Sequence, residues 1–296
     1  MNNKERIHLE MRTLDLDALH IFRTVAEQGG ITRAATVLNR VQSNVTTRVK
    51  QLEARLGTQL FVRNRGRLAL TPEGQLLLAY ADELLRLSSE AQAAVMSGTP
   101  RGTFRVGTLE STAAARLPAI LARYHREYPD VRIELATGTS GALVARVHAF
   151  ELEAAFVAEP FTAAGLESLH VFDEELVVIA PRGTAKVRKP RDIAGRTVIA
   201  FQAGCSYRRR LEEWLAGGGV VAGQVMEFGS YHAIIACVAA GTGIAIVPRS
   251  VLKVANAEKD VDIGRLPPHS ALARTMLVWR SGHRSFALEA LKAHLR

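Results

Sequence analysis

The sequence predicts a multi-domain chain: a mainly α N-terminal unit, a long connecting helix, and an α/β C-terminal region. Three observations carry this. The 296 residues exceed what one compact core holds, so two or three units are expected. Apolar residues recur at helical spacing up to about residue 97. From Phe104 onward, short apolar runs alternate with helical ones, which is the pattern of an α/β fold.

Residues 1–13 are polar, mixed in charge, and read as a flexible leader. Leu16, Leu19, Phe22, Val25 and Ala26 form a helical stripe that Gly29-Gly30 stops. Thr32 is placed to cap a second helix, whose inner face is Ala34, Ala35 and Leu38. A third helix buries Val45, Val49, Leu52 and Leu56 and ends at Gly57. Gln59 to Arg63 and Arg67 to Leu70 read as short strands joined by Asn64-Arg65-Gly66. Thr71-Pro72-Glu73 is a helix start, with a capping hydroxyl followed by proline at the first helical position. The helix it opens carries Leu76, Leu77, Tyr80, Leu84 and Leu87, a stripe that calls for a partner helix. Residues 98–103 are a breaker-rich hinge. Beyond them FRVGTL, VRIELATG, LEAAFVAE, LHVFDEELVVIAP, TVIAFQ, GQVMEFG, GIAIVP and ARTMLVWR read as strands with helices between, so mainly parallel sheets are expected.

The formal charge is +9, and its distribution matters more. Residues 40–67 hold seven basic residues and one acid, a net +6 in 28 residues. Such a field suits a polyanion, with a solvated charged face as the bland alternative. Cys205 and Cys237 are too few for a secreted disulfide scaffold, and no CxxC pair suggests zinc. No apolar signal core opens the chain, and the longest apolar run is too short for a membrane span. The default expectation is a cytoplasmic protein without cofactor or metal.

With Val45 at the centre of the buried face, Ser43, Thr47 and Lys50 fall opposite, flanked by Asn44, Thr46 and Gln51. Gln42 stands near the exposed tip. Short polar groups of this kind suit base edges, so Gln42, Ser43, Thr46 and Thr47 are the candidate base readers. Thr32, Arg40, Lys50, Arg63, Arg65 and Arg67 are the candidate phosphate contacts, which set affinity and register.

Residues 14–75 resemble the winged helix-turn-helix of LysR-type transcriptional regulators. The residues that carry the resemblance are Phe22, Val25 and Ala26, the run Ile31-Thr32-Arg33-Ala34-Ala35 with Leu38, Gln42 and Thr46. Leu52-Glu53, Leu56-Gly57, Leu60-Phe61 with Arg63, and Leu70-Thr71-Pro72-Glu73-Gly74 complete it. Val41 departs from the pattern. The family often has a capping Ser or Thr there, and valine cannot cap. The resemblance implies a winged helix-turn-helix domain at 14–71, a linker and dimerisation helix at 72–97, a hinge at 98–103, and an effector domain at 104–296. That domain is expected to be two-lobed and periplasmic-binding-protein-like, with lobe I at 104–163 and 268–296 and lobe II at 164–267. The implied partners are double-stranded promoter DNA, a small-molecule effector, and a second copy giving a dimer and then a tetramer. RNA polymerase is a further candidate partner, and no membrane is implied.

Four strand-to-helix turns face the implied cleft and supply Ser111 and Thr112; Thr139 and Ser140; Gln202, Cys205 and Ser206; and Phe228, Gly229 and Ser230. Each sets hydroxyls and free N–H groups at a helix start, which suits an acidic or zwitterionic metabolite. Simple capping of each helix is the alternative. Arg208, Arg209 and Arg210 either reach the cleft or form a solvated face. Cys205 at a helix start is expected to have a lowered thiol pKa, which leaves a cysteine-based redox response as an alternative function. An enzyme carried by a DNA-targeting domain is the remaining alternative. No HExxH, P-loop, nucleophile elbow or zinc cluster supports it.

Overall fold

The computed structural model describes residues 14–64, 67–97, 99–184 and 187–295, with the backbone alone for residues 63, 64, 67, 90, 93–97 and 269. The leader expected at 1–13 and Arg65 lie outside the described residues. The chain divides into two compact units, Met1–Gly98 and Thr99–Arg296.

In the first unit, helix α1 (Leu16–Gln28) begins where Asp15 accepts a hydrogen bond from the Asp17 N–H. It ends at Gly29, whose φ of 60° is left-handed. Helix α2 (Ile31–Val37) starts two residues earlier than the sequence suggested. Gly30 holds the cap position, so Thr32 is already inside the helix and does not cap it. Helix α3 (Gln42–Leu56) ends at Gly57 in the left-handed region. Ile21, Val25, Ala34, Ala35, Val45 and Val49 pack as one cluster. Leu19, Phe22, Leu52, Leu60, Leu77 and Ala81 pack as another.

Strands β1 (Phe61–Asn64) and β2 (Arg67–Leu70) form an antiparallel hairpin with Phe61 opposite Leu70 and Asn64 opposite Arg67. Helix α4 (Pro72–Ser97) follows. Thr71 Oγ1 accepts from the Gly74 N–H at 2.9 Å and donates to the Gln59 carbonyl at 2.8 Å, tying the helix start to the hairpin. Gly74 is required there, since a Cβ would stand 2.2 Å from the Leu60 carbonyl oxygen. One face of α4 buries Leu77 and Ala81. Another exposes Leu76, Tyr80, Leu84 and Leu87 at helical spacing.

The second unit opens with β3 (Gly102–Thr108), α5 (Glu110–Ala115), α6 (Leu117–Glu127), β4 (Val131–Thr137), α7 (Ser140–His148) and β5 (Ala154–Ala158). The long β6 (Leu166–Pro181) leads to β7 (Thr197–Phe201), α8 (Ser206–Gly217), β8 (Gln224–Phe228) and α9 (Tyr231–Ala239). The chain closes with β9 (Ala245–Pro248), α10 (Arg249–Val254), β10 (Val261–Arg265), α11 (Pro268–Ala271), β11 (Leu272–Arg280) and α12 (Phe286–His294). Between β3 and β4 the chain forms two helices rather than one, with Pro118 in the first turn of the second.

The principal sheet runs β10-β6-β11-β5-β3-β4, with β9 also on β6. It is mixed rather than mainly parallel. β3 pairs β4 and β5 in parallel, while β6 and β11 run antiparallel to their neighbours. Those two strands are the crossings between lobes, and they account for the difference. β6 pairs β11 from Leu166 to Glu175, then β10 and β9 from Leu176 to Pro181. The change of partner is therefore about a dozen residues beyond the expected 163–164. The return passes through residues 266–271, between β10 and β11, around the expected Pro267–Pro268. β7 and β8 form a small parallel sheet in the second lobe.

Candidate nucleic-acid interface and effector cleft

Val45, Val49 and Leu52 anchor α3 in the core, and that leaves its opposite face to solvent. Gln42, Ser43, Thr47 and Lys50 are exposed. Thr46 is half-buried, and its hydroxyl donates to the Gln42 carbonyl at 2.9 Å. Val41 holds the cap position in extended backbone and makes no side-chain cap bond. The first amides of α3 therefore lack a side-chain partner, and the positive end of the helix is open beside Gln42.

The expected phosphate contacts divide. Lys50 is exposed, and Thr32 is exposed near the start of α2. Arg40 is committed elsewhere. Its guanidinium forks onto Asp17 at 2.9 and 2.6 Å and pins the segment before α3 to α1. This bond holds the Asp17 carboxyl below the usual carboxylate range. Arg63 and Arg67 sit on the hairpin strands with side chains outside the described residues.

In the sensor, three of the four turns meet at one small cavity, lined by Ser111, Thr139, Cys205 and Ser206. The cavity is shut to about 10 Å³, room for one water. The turns nearly touch: a Cβ on Gly204 would lie 3.3 Å from Thr139 Oγ1, and its φ of +88° also calls for glycine. A wider hollow of about 660 Å³ opens alongside and is lined by Ser140, His148, Phe161, Ala203 and Arg208 among others.

Some hydroxyls have structural work. Thr139 caps α7 by accepting from the Ala142 N–H. Ser140 Oγ accepts from the Ala158 N–H and donates to the Ala158 carbonyl, both at 3.1 Å. Thr112 is fully buried, with no hydrogen-bond partner for its hydroxyl among the described residues and no place in the cavity lining. Gln202, Phe228, Gly229 and Ser230 also lie outside that lining, whereas Tyr231 is part of it. The start of α9 is already taken. Glu110 Oε1 accepts from the Tyr231 N–H at 3.4 Å.

The electrostatics overturn one expectation. Burial pushes the Cys205 thiol up, and the amides of Arg208 and Tyr207 offset this only in part. A reactive thiolate is not favoured there. Cys237 packs half-buried against the apolar core. Arg208 is held by Glu212 at 2.7 Å and by Glu227, Arg209 lies 3.5 Å from Glu213, and Arg210 reaches the Glu159 carbonyl. Behind the cleft, Glu174 on β6 is 2 % exposed and accepts from Arg116 and Ser250, each at 2.7 Å. That carboxylate joins the α5–α6 corner of one lobe to α10 of the other.

Residues 16–75 match the model of the bacterial regulatory helix-turn-helix protein, lysR family. Residues 97–296 match that of the LysR substrate binding domain. The chain belongs to the LysR family. Among its LysR-type relatives is the uncharacterized HTH-type transcriptional regulator YusT of Bacillus subtilis, 39% identical over 94% of this chain and 92% of that one. GltR of the same organism is 37% identical over 96% of each chain. The fold is shared with a full-length OxyR variant from Pseudomonas aeruginosa, with a TM-score of 0.72, 22% identity and coverage of 97% and 96%. It is also shared with full-length CbnR complexed with its target DNA, with a TM-score of 0.67, 23% identity and coverage of 96% and 99%. This LysR-type chain is thus a regulator with a helix-turn-helix unit and a two-lobed effector domain. Among the described residues no helix is long and apolar enough to cross a membrane, and no cluster of His, Cys, Asp and Glu could hold a metal. Sequence reasoning placed Glu110 in the first turn without assigning it a contact, and did not assign Phe201, Tyr207 or Tyr231 to the cavity. The one available signal for Glu110 was its place directly ahead of Ser111 at the first turn.

Proposed function

We propose that this LysR-family chain reads promoter DNA with the solvent face of α3 and adjusts its grip in response to a small effector between the lobes. The exposed polar face of α3, with its uncapped start at Gln42, supports this best. Gln42, Ser43, Thr46 and Thr47 take base edges in the major groove, while Lys50 and the hairpin arginines Arg63, Arg65 and Arg67 take phosphates. The exposed stripe Leu76, Tyr80, Leu84 and Leu87 on α4 pairs with a second copy, so two recognition helices meet successive grooves roughly 34–36 Å apart. Dimers pair further into tetramers.

The effector carries an acidic group and lies at the helix starts of Thr139-Ser140 and Cys205-Ser206. It acts only through its different affinity for the open and closed lobes. The chain works in the cytoplasm and without catalysis of its own, as the names of its relatives suggest. Footprinting of the full chain on the promoters beside its own gene tests the DNA reading. Protection of a discrete site is expected, with Lys50→Ala lowering the log–log salt slope by about 0.9 per bound subunit, or about 1.8 for a dimer. Uniform protection of all fragments would overturn it.

A further inference from the structure

The small cavity holds an acid as well as seats for one. Glu110 opens α5, and its Oε2 is buried with no hydrogen-bond partner among the described residues. The other oxygen takes the Tyr231 amide, which accounts for one end of the carboxylate and not the other. Among the described residues no arginine or lysine pairs with it. The nearest charged influence is the exposed His232. Neighbouring cations are engaged: Arg116 by Glu174 and Arg208 by Glu212. A carboxylate oxygen buried without a donor costs free energy until a donor arrives.

Three rings wall the same cavity. Phe201 stacks on Tyr231 with centroids 5.1 Å apart, and Tyr207 lies 6.5 Å from Tyr231. A carboxylate beside aromatic faces is the chemistry that recognises an ammonium group, by charge-assisted hydrogen bonding and by attraction to the ring faces. In the same lining, the hydroxyls of Thr139 and Ser206 stand at the starts of α7 and α8, where partial positive charge favours an acid.

We propose that the effector is a small zwitterion of the amino-acid type, its ammonium seated on Glu110 among these rings and its acid at the Thr139 and Ser206 helix starts. This rests on the reading that the effector lies between the lobes. With free space for one water, the lobes part to admit the ligand and close around it. Capping of α9 by Glu110 alone would leave Oε2 unexplained.

Thermal-shift titrations of the full-length protein test this with matched probes: the protein L-α-amino acids, their des-amino acids, and their decarboxylated amines. At least one amino acid stabilises the wild type while its des-amino partner does not. Glu110→Gln raises the half-saturating concentration more than tenfold, and Glu110→Asp, which keeps the charge, restores part of the response. Ala203→Trp, an exposed position at the mouth of the wider hollow, abolishes the shift. If a des-amino acid stabilises the wild type equally and binds Glu110→Gln more tightly, while Ala203→Trp blocks it, the amine is refuted and the cleft stands. A shift that survives Ala203→Trp refutes the cleft reading as well. A panel in which no amine-bearing probe stabilises the wild type also overturns the proposal.

Discussion

Gln42 and Ser43 stand in solvent at the start of α3, whereas Ser111 and Ser140 are almost wholly buried between the sensor lobes. Both regions offer short polar side chains to a ligand. On α3 the valines and leucine beneath carry the fold, so the outer face is spare for DNA. In the cleft the same side chains also hold elements together, as Ser140 holds α7 to β5. An exposed polar face can thus change its ligand without changing stability, while a buried one cannot.

Four substitutions separate the two regions. The largest effect is expected from Arg116→Ala, which leaves the Glu174 carboxylate buried with Ser250 as its remaining hydrogen-bond partner among the described residues. Urea unfolding should show a loss of about 3 kcal/mol, with Arg116's own partial exposure keeping it at the low end for a buried pair. Ser140→Ala follows, at about 2 kcal/mol, because the Ala158 amide and carbonyl lose their partner. On the exposed side, Gln42→Ala should leave unfolding unchanged and cost about 1–2 kcal/mol of operator affinity, with relaxed preference at one base pair. A drop in stability there would erase the contrast. The smallest effect, and a gain, is expected from Val41→Ser. A hydroxyl at this open cap should add about 1 kcal/mol to stability, read as a higher urea midpoint.

Legibility followed the range of the interactions. The exposed polar face of α3 was visible because helical spacing and the Gly57 stop are local. The start of α4 was equally visible, since Thr71 and Pro72 are neighbours. The pairing of Arg40 with Asp17 was not legible, because Asp17 lies 23 residues upstream and only folding brings the two together. Thr32 was assigned the cap because hydroxyls commonly serve there, yet Gly30 takes that position. In the sensor, the turns were legible from strand-to-helix transitions. The cavity was not, because Glu110 meets the Tyr231 amide across 121 residues. The helix-start rule for Cys205 failed because burial outweighs the helix amides, a balance that sequence does not display. The lobe crossing fell at Glu175–Leu176 because β11 continues to pair with β6 over residues 166–175.

Sequence reading by α3 is the step on which the regulator's specificity depends. Its most direct test is selection of genomic fragments by the full-length protein and by Gln42→Ala at near-physiological salt. The wild type should enrich a discrete site with two half-sites one helical turn apart, and Gln42→Ala should lose preference at one position in each half-site. Equal retention of all fragments, or identical preferences for the two proteins, would contradict the account.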